Sequence, residues 1–69
     1  MKEYKYDKLK GRILAKFGTQ ESFAKAIGVS RVTVNSKLNN NVQFTQSDVE
    51  RWTEALEIDR SDIVHYFYA

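Results

Sequence analysis

The amino-acid sequence predicts an all-α fold of short capped helices. Three observations carry that prediction. Apolar residues recur at intervals of three and four through successive segments, the period of a helix that buries one face. Two of these segments are followed at once by glycine, Gly18 and Gly28, the residue that most readily takes the left-handed conformation closing a helix. An aspartate, threonine or serine stands ahead of the segments, where a short side-chain oxygen can accept from the free amides of a first turn.

Each element follows from these rules in order. Asp7 is the expected cap of a first helix running to about residue 17, with Leu9, Ile13, Leu14 and Phe17 on one stripe. Gly18 ends it. Thr19 then caps a second helix, 20–27, which carries Glu21 in its first turn and Phe23, Ala24 and Ile27 on its inner face. Gly28 ends that one. Ser30 caps a third helix from 31 to about 39. Thr45 caps a fourth, 46–56, with Asp48 three residues on in a capping-box position and Val49, Trp52, Ala55 and Leu56 turned inward. The tail, IDRSDIVHYFYA, admits two readings. Asp59 or Ser61 suits the cap of a short fifth helix, while 63–68 is also rich in strand formers. A short helix followed by an extended end is expected.

Sixty-nine residues make one domain, 1–69, which buries only about 60% of its unfolded surface. With no cysteine and a single histidine, His65, the chain has neither disulfide staples nor a ligand set for a metal. No cofactor-binding motif, no glycine-rich phosphate loop and no nucleophile–histidine pairing occurs, so no catalytic residue is assigned and an enzyme is not expected. No apolar run is long enough to span a membrane. The N-terminus, MKEYKYDKLKG, is charged throughout, unlike a signal peptide, and a cytoplasmic location in a bacterial host is expected.

The net charge of +2 conceals a strong asymmetry. Residues 1–37 hold nine basic and three acidic side chains, a balance of +6; residues 38–69 hold two basic and six acidic, a balance of −4. A basic half suits a polyanion, and an acidic half suits a face turned away from it or toward a basic protein.

Within the basic half, TQESFAKAIGVSRVTVNSKLNN places two short helices around a glycine turn over about 19–39. Ala24 is small where the helices cross, and Val29 and Val34 hold the second against the first. The spacing Gln20-Glu21-x-Phe23-Ala24-x3-Gly28-Val29-Ser30-Arg31-x-Thr33-Val34 resembles the lambda-repressor/Cro class of phage regulators. The longer pattern LKGRI…KFGTQESFAKAIGVSRVTVNSKLNN…F…IVHYFY is similar to small single-domain regulators from phages and prophages of Gram-positive bacteria, over Leu9 to Tyr68. The resemblance implies a five-helix bundle that binds double-stranded operator DNA, and a regulatory role as repressor or as modulator of a partner repressor. Two departures stand out. The family's buried aliphatic three residues beyond Val34 is Lys37 here, which leaves the inward place to Leu38. The chain also stops where full-length repressors continue into an oligomerisation domain.

The third helix is built from poor helix formers, with the β-branched run Val32-Thr33-Val34 among serines and asparagines. At about 100° per residue, Val34 and Leu38 point inward, and Ser36, Val32 and Thr33 fall on the opposite side. That outer face carries no acid and only short side chains, as entry into a major groove requires. Val32 and Ser36 on this face, with Arg31, which is long enough to reach from the first turn, are the expected base-reading residues: Arg31 for a guanine edge, Val32 for a thymine methyl, Ser36 for a base-edge hydrogen bond. Thr33, Asn35, Lys37, Asn39, Asn40 and Lys16 are expected to contact or support the DNA backbone, the asparagines being equally well explained as turn formers. Gln20 matches the family position that bonds a phosphate and braces the first recognition residue, here Arg31.

Two partners other than DNA are raised by the same residues. The acidic half would suit a partner repressor protein, which makes a modulator or antirepressor the alternative function. The aromatic tail either closes the monomer core or forms a homodimer seam through Ile63, Tyr66 and Phe67.

Overall fold

A computed structural model describes residues 5–68. Its helices are α1 (Asp7–Phe17), α2 (Gln20–Ile27), α3 (Arg31–Leu38), α4 (Gln46–Ala55) and α5 (Ile63–Phe67), with a single 3₁₀ turn, Arg60–Asp62, leading into α5. Among the described residues there is no strand. No helix is long and apolar enough to cross a membrane.

Local capping accounts for most boundaries. Thr19, Ser30 and Thr45 each accept a hydrogen bond from the amide three residues on, that of Ser22, Thr33 and Asp48 respectively. Thr45 and Asp48 complete a reciprocal capping box. Gly18 (φ 81°) and Gly28 (φ 76°) close α1 and α2 in conformations that a Cβ would oppose. Asp7, by contrast, does not cap α1. Tyr6 takes the cap position at φ 56°, and Asp7 is the first helical residue, where its charge meets the positive end of the helix dipole. At the tail, Asp59 precedes the 3₁₀ turn without a side-chain capping bond and Ser61 lies inside it; the 63–67 segment is helical despite its strand formers.

The core joins Leu9 and Ile13 of α1, Phe23 and Ala24 of α2, Val34 and Leu38 of α3, Val49 and Trp52 of α4, and Leu56, Ile58 and Phe67 beyond it. Through it runs a row of rings meeting edge to face or tilted. Phe17 lies 5.3 Å from Phe23, Phe23 4.8 Å from Trp52, and Trp52 4.7 Å from Phe44. Phe44 in turn lies 5.3 Å from both Phe67 and Tyr6. Such pairs stabilise by about 0.5–1.5 kcal/mol each beyond the area they bury.

Phe67, 2% exposed, thus belongs to the monomer core, and Ile63 and Tyr66 pack against it. Of the two readings of the aromatic tail, the packing follows the first: these three residues close the subunit against Phe44 and Trp52. The stripe of α1 is also narrower than its sequence suggests. Leu9 and Ile13 are buried and Phe17 is half-buried, but Leu14 is 53% exposed.

Candidate recognition face

α2 and α3 form the helix-turn-helix. Val29 donates its amide to the Ala24 carbonyl across Gly28, at 3.0 Å, and Ala24, 1% exposed, lets the two helices approach. This fixes α3 with Val34 and Leu38 in the core and its opposite side in solvent. Val32 is 69% exposed, Arg31 and Asn35 are exposed, and Ser36 is half-buried. Tertiary packing therefore holds a helix whose own propensity is low.

The expected contact residues divide into two groups. Val32 and Ser36 share the outer side of α3, Arg31 is exposed in its first turn, and Arg31 makes no ion pair with any described residue. Gln20 and Arg31 line one surface cleft together with Leu14, Thr19 and Glu21, though no hydrogen bond joins them. Thr33 turns its hydroxyl back to the Ser30 hydroxyl, 3.0 Å away, so it serves the cap. Asn39 and Asn40 shape the exit from α3. The Asn39 amide bonds the Asn35 carbonyl, and Asn40 takes φ 63°. The Ser36 carbonyl accepts from the amides of Asn41 and Val42 at 2.9 and 3.3 Å.

The two lysines are each ion-paired. Lys37 is only 8% exposed; its ammonium donates to Asp48 Oδ2 at 2.7 Å and to the Gln43 carbonyl at 3.4 Å. It keeps the buried station of the aliphatic it replaces, with its stem in the core and its charge neutralised at the start of α4. Lys37, expected to contact or support the DNA backbone, is thus turned to Asp48 and Gln43. Partial burial pushes the Asp48 carboxyl up, but the bonds from Lys37 and from Thr45 outweigh it and hold the group below its ordinary value. Lys16 is ion-paired with Glu57 in the turn after α4. Arg12 acts alongside it, donating from Nε to the Leu56 carbonyl (3.0 Å) and from Nη2 to the Glu57 carbonyl (3.1 Å). This satisfies carbonyls at the negative end of α4.

Sequence reasoning missed these roles for Arg12, Lys16 and Lys37. Asp48 was visible through its capping box, but nothing local indicates that a lysine eleven residues earlier returns to it.

The geometry defines the class of domain: a core-anchored helix-turn-helix whose exposed third helix carries short side chains and no acid. The family model described as "Protein of unknown function (DUF739)" matches residues 2–69, and the chain belongs to that family. Among solved structures it is similar to the solution structure of the modulator of repression (MOR) of the temperate bacteriophage TP901-1 from Lactococcus lactis. The two are 40% identical, the match covers 94% of this chain and 88% of that one, and the TM-score is 0.84. Comparison with curated proteins gives no match. The five-helix, all-α expectation and the resemblance to small phage regulators are both borne out.

Proposed function

We propose that this protein is a modulator of repression that works in the cytoplasm of a bacterial host by binding a partner repressor protein. The observation that carries this reading is the likeness, over nearly the whole chain, to a protein named for that role. Charge placement supports it. Three of the cations that made the first half look suited to DNA, namely Arg12, Lys16 and Lys37, are engaged inside the molecule. α3 then offers one unpaired cation, Arg31, for a task in which each neutralised phosphate adds to affinity.

Direct operator reading is the second function, favoured by the exposure of Val32 and by the guanidinium of Arg31, which has no ion pair among the described residues. One pair of measurements separates the two. The purified protein is titrated into the repressor encoded by the same phage or prophage, and is separately used to select from random duplex DNA. A stoichiometric protein complex with no enriched duplex is the expected result. Enrichment of one sequence by the protein alone, with affinity falling about 0.9 log units per log salt for each phosphate neutralised, would establish the operator reading instead.

A further inference from the structure

The outer side of α4 and the chain that follows it enclose a cleft of about 980 Å³, which shares no lining residue with the cleft beside α3. Val49, Ile58 and Ile63 give it apolar walls; Glu50, Glu54, Glu57 and Asp59 line it with carboxylates, against a single lining cation, Arg60. Glu57 is paired with Lys16, but Glu50, Glu54 and Asp59 have no cation among the described residues within ion-pair distance.

This arrangement works against the stability of the free protein. Glu50 and Glu54 stand four apart on one helix, where like charges repel. Glu54 lies in the last turn of α4, where the helix dipole favours a cation, and that turn holds no basic residue. A surface shaped by helix stability alone would place lysine there. In the same wall Thr53 Oγ1 is sheltered from solvent and has no hydrogen-bond partner among the described residues. Unpaired carboxylates over apolar walls complement one kind of occupant: a segment with arginine or lysine side chains spaced around an apolar one.

We infer that the cleft between α4 and α5 is the docking site for an arginine- or lysine-bearing helix of the partner repressor, an assignment that rests on the function proposed above. The carboxylates of Glu50 and Glu54 meet its cations and the apolar walls receive the residue between them. The pairing makes association faster and weaker in salt, as complementary charge does at interfaces.

The test is Glu54→Lys, which reverses the charge at the cleft and at the same time creates a favourable Glu50–lysine pair in a last turn that favours cations. A melting temperature at or above the wild-type value is expected, so lost binding cannot be ascribed to unfolding. Affinity for the repressor of the same phage, by calorimetry, should fall at least tenfold. In the wild-type protein, amide shifts on adding that repressor should centre on 49–60. Affinity unchanged by Glu54→Lys, or shifts confined to α3, would overturn the docking site while leaving the proposed function intact. If the wild-type protein binds no repressor, the function itself fails and the site with it.

Discussion

Helices α3 and α4 present opposite chemistries to solvent from a common core. α3 is made of β-branched residues, serines and asparagines, carries no acid, and exposes Val32 and Arg31. α4 is made of stronger helix formers and exposes Glu50 and Glu54. Both depart from what local stability would select: α3 in its backbone preferences, α4 in the placement of its charges. Both are tolerated because Val34, Leu38, Val49 and Trp52 meet in one buried cluster. The contrast teaches that in so small a domain the outer faces are freed from stability by the inner ones, so that unfavourable local choices point to function.

The largest perturbation removes what the two faces share. Trp52→Ala should cost about 3–5 kcal/mol, since its ring is 1% exposed and touches Phe23, Phe44 and Phe67. Chemical denaturation should show α3 and α4 lost together. Survival of one helix's amide protection without the other would break the comparison.

Next comes the division within α3. Val34→Ala should lower stability by about 1.5–3 kcal/mol, as for a fully buried valine, whereas Val32→Ala should stay within about 0.5 kcal/mol of wild type. Equal losses on thermal unfolding would mean that the exposed side of α3 is not free to serve a ligand.

The Lys37–Asp48 pair ties the two helices electrostatically, and its effect is pH-dependent. The folded carboxyl of Asp48 titrates below its ordinary value of 3.8, so the stabilisation is fully present above that pH and disappears as pH falls through the depressed folded value. Asp48→Asn should flatten this acid limb in melting curves taken between about pH 2 and 6. It should also lower stability at neutral pH, by leaving the largely buried Lys37 ammonium without its counter-charge. A variant with the wild-type acid limb would show that the pair contributes nothing.

The smallest effect is a gain. Gly11 lies inside α1, and a Cβ there would meet nothing within 4 Å. Gly11→Ala should therefore stabilise by about 0.5–1 kcal/mol, measured by denaturation. It should leave both α3 and α4 as they are.

How much of this was legible beforehand follows from the range of each interaction. Helix ends set by Gly18, Thr19, Gly28, Ser30 and Thr45 were readable because a cap acts over three or four residues. The exposure of Val32 and the burial of Leu38 followed from helix periodicity alone. Lys37 was misplaced because a charged residue in a buried station depends on Asp48, brought to it by the loop between α3 and α4. The internal roles of Lys16 and Arg12 were missed for a similar reason, since their partners lie more than forty residues away. Leu14 was placed inside because sequence gives the width of an apolar stripe but not the arc its neighbours cover; Ile13 fills that arc.

The guanidinium of Arg12 has a consequence in time. Its bonds to Leu56 and Glu57 span 44 and 45 residues, while the α2–α3 turn closes over fewer than ten. Contacts between near neighbours form at little loop-closure cost, and those between the ends of a chain must wait for the segments in between. The helix-turn-helix is thus placed to assemble first, with the acidic C-terminal portion fastened to α1 last.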